Sequence, residues 1–271
     1  MKKTLFALAL ATLSLHAAAH RPWLYPQATM VEAKEPWVTI DGAISEGLFD
    51  IDHQPLKLDN ATVTGPDGVS FAAPSPFTGR QRSSFDLKMD KDGTYKVSLV
   101  TRSVMASYKD ASGEPKRFRG SEEAFARDVP ANAPELRVTH AHSRLETFVS
   151  ANKHSGGALK AGGVGLEMVP VTNPTDLRVG ETAKWRFQLD GKALPNFPFS
   201  LIPGGVRYRG VLGEIRLNTD ANGEVAVALP AAGMYWLNAA WPAAQAKAPA
   251  PADAPVARRY SYAATLEILP E

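Results

Sequence analysis

Of the six histidines in this chain, five lie beyond the first nineteen residues: His20, His53, His140, His142 and His154. Imidazole is the commonest metal ligand among side chains, because at neutral pH it offers a lone pair without having to carry charge. His20 is the most informative of the five. Lys2 and Lys3, the apolar run Thr4 to Leu15 and the small residues Ala17-Ala18-Ala19 have the order of an export signal, assigned to residues 1–19. The run is too short to span a bilayer and has no stop-transfer flank, so the expected outcome is secretion into the bacterial periplasm with no membrane span after signal removal. A cut after Ala19 makes His20 the first residue. Its α-amine and its ring can then chelate one ion together. A cut after Ala18 would bring in the His20 amide as well. Pro22, which has no N–H, ends any chelate through successive amides at Arg21, and Pro22 and Pro26 stiffen the terminus.

His53 follows two carboxylates in Phe49-Asp50-Ile51-Asp52-His53, and Asp50 or Asp52 is expected to orient its ring. His140-Ala141-His142 has the local spacing best suited to ligation, since residues two apart on an extended strand project from one face. Each ligand reading has a plainer counterpart. His20 is then only where a peptidase cuts, His53 belongs to a solvated loop, and His140 and His142 decorate an exposed strand. His154, beside Gly156-Gly157, reads as a loop residue.

Composition narrows the chemistry. There are no cysteines, so thiolate metal sites and cysteine nucleophiles drop out and the fold has to hold without disulfides. With Lys2 and Lys3 removed, the 30 basic residues fall to equal the 28 acidic ones, and no basic run flanked by aromatics suggests a nucleic-acid partner. No G-x-S-x-G elbow, phosphate-binding loop or dinucleotide fingerprint occurs, and Glu122-Glu123 fits a helix start better than a pair of glycosidic carboxylates.

The elements that must hold the histidines are strands. Trp37 to Ile40, Ala61 to Thr64, Ser84 to Leu87 and Thr94 to Thr101 are β-forming or alternating runs, separated by Gly-Pro-Asp-Gly and Lys-Asp-Gly turns. Lys109 to Pro134 is broken by Gly and Pro and is expected to be a crossover loop with one short helix capped by Ser121. Leu136 to Thr139 and Arg144 to Ser150 return to strand character, and Gly156-Gly157 with Gly162-Gly163 mark a flexible junction. Beyond it, Leu166 to Pro170, Thr182 to Leu189, Phe199 to Pro203, Val206 to Leu217, Gly233 to Ala240 and Tyr260 to Leu269 are expected strands, with an Ala/Pro-rich excursion over 242–255. The fold class is all-β: two immunoglobulin-like or transthyretin-like antiparallel β-sandwich domains, at 20–155 and 165–271.

Four segments in order, A-H-R-P-W-L-Y-P, W-V-T-I-D-G-A-I-S-E-G-L-F-D-I-D-H-Q-P-L, R-L-E-T-F-V-S and G-L-E-M-V-P-V-T-N-P, resemble a family of uncharacterised exported bacterial proteins. That family is often described as the periplasmic component of nickel or cobalt uptake systems. The resemblance implies a non-catalytic protein that carries a divalent transition metal, nickel or cobalt, to an inner-membrane transporter; a separate, purely architectural likeness to exported β-sandwich copper carriers that begin with His adds copper. It places His20 and His53 at the site; His142 and His140 are added from their spacing. Two other readings stay open: a copper histidine-brace oxidase, which needs Trp23 or Tyr25 beside an exposed metal, and a β-sandwich interaction module without metal.

Overall fold

The computed structural model describes residues 20–243 and 256–271. The segment 1–19, where an export signal is expected, and most of the Ala/Pro-rich stretch fall outside the described residues. The rest is mostly strands in antiparallel sheets with few helices, an all-β sandwich.

Three sheets form. The first runs Arg21–Pro26, Trp37–Ser45, Ser83–Lys88 and Phe77–Thr78, with Gln54–Pro55 added beside the end of Trp37–Ser45. The second is large and runs Ile215–Asn218, Pro198–Pro203, Gly233–Trp241, Val256–Ile268, Arg137–Ala151, Gly93–Lys109, Ala61–Thr64 and Ser70–Ala72. The third has Leu166–Pro170 on one side of Thr182–Leu189 and both Lys192–Ala193 and Glu224–Ala228 on the other.

The large sheet lies between the other two, as the strand Arg137–Ala151 shows. Its odd-numbered residues Leu145, Val149 and Ala151 join the core shared with the first sheet, around Trp23, Ile40, Phe85 and Trp236. Even-numbered Phe148 joins the core shared with the third sheet, around Trp185, Phe187, Tyr262 and Leu266. Leu145 to Ala151 is buried throughout, with apolar Leu145, Phe148, Val149 and Ala151 in the cores and polar Glu146, Thr147 and Ser150 hydrogen-bonded. Each Leu, Val or Phe buried this way contributes about 1.5–3 kcal/mol.

Several local expectations are corrected. The two halves share the large sheet, because Val138 to Thr147 pairs in parallel with Val256 to Thr265. That pairing, like the shorter parallel one of Ser150 and Ala151 with Met30 and Val31, departs from the mostly antiparallel plan, and it joins segments more than a hundred residues apart. The crossover loop contains a strand, Pro115–Gly120, folded back on Gly93–Lys109. Asp110 makes the turn, accepting from the N–H groups of Ser112 and Glu114, while Gly113 takes a positive φ. The short helix is Glu122–Asp128, with the Ser121 hydroxyl accepting from the Ala124 N–H. Val206 to Leu217 divides into a helical turn, Val206–Arg209, and a strand, Ile215–Asn218, since Gly205 and Gly210 adopt left-handed φ on either side of the turn.

The glycine junction is held firmly. Glu167, 3 % exposed, accepts from the N–H groups of Gly162 and Gly163. Gly157 lies so close to the chain that a Cβ there would meet the Pro66 carbonyl oxygen at 1.8 Å.

Candidate functional site

Strand register brings His20 and His53 together. Arg21 pairs with Ser45, so the antiparallel ladder continues to set His20 against Glu46. On the other side of Trp37–Ser45, Ile44 pairs with Gln54, which leaves His53 at the same end of the sheet. The two rings stack with centroids 4.0 Å apart and planes 15° from parallel. Glu46 Oε1 lies 3.5 Å from His20 Nε2, and both side chains are substantially exposed. The pair is therefore open to an ion arriving from solvent.

The loop between Glu46 and His53 is built to keep that arrangement. Asp52 accepts from the N–H groups of Glu46 and Gly47, and the Asp50 N–H closes a turn onto the Gly47 carbonyl. The buried Trp23 indole donates to Ser45 Oγ at 2.8 Å, and that hydroxyl donates to the Gly47 carbonyl. Phe49 takes φ 65°, a left-handed conformation that costs energy for a bulky residue, and its ring packs edge-on against Trp23 and Tyr25. The expectation that Asp50 or Asp52 orients the His53 ring is corrected here. Asp52 serves the backbone, and Asp50 faces Arg207 at 3.4 Å. Trp23 lies in the core beneath the loop, at 2 % exposure.

His140 and His142 are placed elsewhere. They project from the even-numbered face of Arg137–Ala151, whereas His20 borders a cavity of about 310 Å³ with Leu145, Ile202, Trp236 and Ala263, which belong to the core on the opposite face. The sheet itself therefore stands between the two histidine pairs. His140 Nδ1 meets Glu122 Oε1 at 2.6 Å. The His142 ring packs against Gly165, where a Cβ would come within 2.1 Å, and stands edge-on to Tyr260; its buried Nε2 has no partner among the described residues. His154 is a loop residue with Nδ1 on the Thr175 hydroxyl. Among the described residues, no group of three or more His, Cys, Asp or Glu side chains converges to hold a metal ion.

A wider groove of about 660 Å³ lies on the other side of the Phe49 loop, lined by Trp23, Tyr25, Phe49, Tyr208 and the buried carboxylate of Asp41. Burial pushes the Asp41 carboxyl above its ordinary value, against the lowering effects of Arg82 and a hydrogen bond from Gln27. A raised native value means the folded state holds the proton more readily. This group's contribution to stability therefore falls as pH rises from the ordinary carboxylate range through the raised native value. Asp41→Asn removes that slope, so the stability of the variant relative to the native chain should grow across that window. Urea midpoints at a series of pH values measure it, and a difference that does not vary with pH contradicts the burial argument.

Comparison with known proteins adds little chemistry. The family described as "Domain of unknown function (DUF4198)" matches residues 17–243. None of the curated proteins matches the chain. Among solved structures, a DUF4785 family protein from Legionella pneumophila is similar at 9 % identity and a TM-score of 0.25, over 79 % of this chain and 50 % of that one. Trypsin-activated alpha-2-macroglobulin from Escherichia coli is similar at 10 % identity and a TM-score of 0.21, over 93 % of this chain and 23 % of that one. The chain thus spans about half the length of the first and under a quarter of the second. Likenesses at this level carry no argument about what the protein does.

Proposed function

The chain belongs to the DUF4198 family, a domain of unknown function, and from that premise we propose that it binds a divalent transition metal through His20 and His53. The binding takes place in the periplasm, for delivery to an uptake system in the inner membrane. The observation that carries this reading is the stacked His20–His53 pair with the Glu46 carboxylate beside it. Nickel, cobalt and copper all suit a nitrogen-rich set, with copper the tightest on intrinsic affinity.

The donor set is completed by processing. In the uncut chain the His20 nitrogen is an amide; a cut after Ala19 turns it into an amine that closes a six-membered chelate with Nδ1 of its own ring. Parallel rings direct their lone pairs side by side. Two nitrogens bound cis to one ion at about 2.0–2.1 Å lie about 2.9 Å apart, so the rings tilt toward each other on loading. The pinned Glu46–His53 loop limits what that tilt costs. Exposure of the pair favours exchange over storage, as delivery requires.

Calorimetric titration of nickel, cobalt and copper tests the reading on three proteins: the chain beginning at His20, the same chain with its His20 amine acetylated, and His53→Ala. The first is expected to bind one ion, and each of the others to lose at least roughly 10–100-fold in affinity, the range already seen when only the groups supporting a metal's ligands are disturbed. Protons compete for every ligand nitrogen, so affinity also falls in acid. Equal affinities for all three proteins remove both the amine and His53 from the site.

A further inference from the structure

The face that carries His140 and His142 holds chemistry of its own. His140 lies opposite Arg258 on one neighbouring strand and Val104 on the other; His142 lies opposite Tyr260 and Arg102. Directly opposed residues on paired strands share a face, so three strands distant in sequence set two guanidiniums on either side of the histidine strand. All five of His140, His142, Arg102, Arg258 and Tyr260 line one cavity of about 250 Å³, which Val164, Gly165, Asp190 and Glu122 close.

We propose that this cavity binds a small oxyanion, a phosphate or a compact carboxylic acid, between Arg102 and Arg258. The ion pairs in this region are His140 with Glu122, and Arg144 with Glu146 and Glu167. Neither Arg102 nor Arg258 joins an ion pair among the described residues, and both are exposed. The two carboxylates of the cavity are already engaged, Glu122 by His140 and Asp190 by the Gly165 N–H at 2.8 Å. Neither carboxylate forms an ion pair with Arg102 or Arg258 among the described residues, so both guanidiniums stay open to an incoming anion. One strand lies between the arginines and they are offset by two positions along it, which sets their backbones about 12 Å apart, and a guanidinium fork from each side suits an anion with several oxygens.

The same features disfavour a metal here. Burial first, then Arg144 and Arg102, hold the His142 ring below the ordinary imidazole value, and of these causes the two guanidinium charges would also repel a dication. Tyr260 and Val164 give the cavity an apolar wall, so the guest has a compact body behind its charged group. This site uses neither His20 nor His53 and stands whether or not the metal reading does.

The test is calorimetric titration of the intact chain at low ionic strength with inorganic phosphate in one arm and succinate in the other. Saturable one-site binding in either arm is expected, and the stronger arm identifies the anion. Arg102→Gln and Arg258→Gln should each weaken it roughly tenfold or more, the scale of one charge-assisted hydrogen bond. Arg259→Gln is the control, because Arg259 is exposed and lies opposite Ala141 on the other face; its affinity should be unchanged. No saturable binding in either arm overturns the proposal, as does an equal loss with Arg259→Gln. Displacement of the His140 and His142 NMR signals by nickel but not by either anion overturns it too.

Discussion

Arg144→Met is expected to destabilise the protein by roughly 3–5 kcal/mol, the cost of leaving a buried charge without its partner. The Arg144 guanidinium lies 3.3 Å from Glu146 Oε1 and 3.4 Å from Glu167 Oε1, and it donates to the Val164 carbonyl at 2.9 Å. Both carboxylates are nearly inaccessible to solvent. Each has other donors: Glu146 receives Ser98 and the Tyr262 hydroxyl, and Glu167 receives Gly162, Gly163 and Gln188. Burial, and next the Glu146 carboxylate, push the Tyr262 hydroxyl well above its ordinary value, so it remains a donor. These neutral donors orient the carboxylates, but none of them carries a positive charge. Without Arg144, two negative charges face one another between the sheets. Urea unfolding at neutral pH measures the loss. A loss below about 1 kcal/mol at neutral pH would show that the ion pairs are too solvated to matter.

The second large effect is Trp23→Ala, also expected to cost roughly 3–5 kcal/mol, the range for truncating a buried aromatic side chain. Trp23 fills the core between the first sheet and the large one, and its indole N–H is the donor to Ser45 Oγ. Removing it opens a cavity and strips one end of the chain of bonds that runs through Ser45 to Gly47. That chain supports the loop whose ends are Glu46 and His53. The variant should therefore bind metal more weakly as well as unfold earlier. Trp23→Phe helps to separate the two causes, since it keeps an aromatic ring and most of the volume, loses the hydrogen bond at about 0.5–1.5 kcal/mol, and adds only a smaller cavity. Full stability in Trp23→Ala would mean the core closes over the gap, and would detach the loop from Trp23.

The candidate metal pair was half legible in the sequence. His20 could be singled out by the residues before it and His53 by its segment, but nothing local to either predicts that they stack. That contact depends on two pairings of Trp37–Ser45, one with the strand after His20 and one with the strand after His53. Glu46 had no signal at all. Its role follows only from lying opposite His20 once the strands pair. The aspartates beside His53 misled for the opposite reason: neighbours in sequence point to different partners, and Asp52 is taken by backbone N–H groups.

The sequence by itself determined the all-β class, most strands, the Ser121 cap and the same-face placement of His140 and His142. Each of these depends on period-two alternation or on hydrogen bonds within a few residues, so the information is local. Only the tertiary structure decided that both halves share one sheet, that this sheet separates His20 from His142, and that Arg102 and Arg258 flank the His140–His142 strand. Those facts depend on which strands pair and in what register, and register is set by contacts between segments dozens to more than a hundred residues apart. Alternation shows that a strand has two faces, and pairing decides what each face meets.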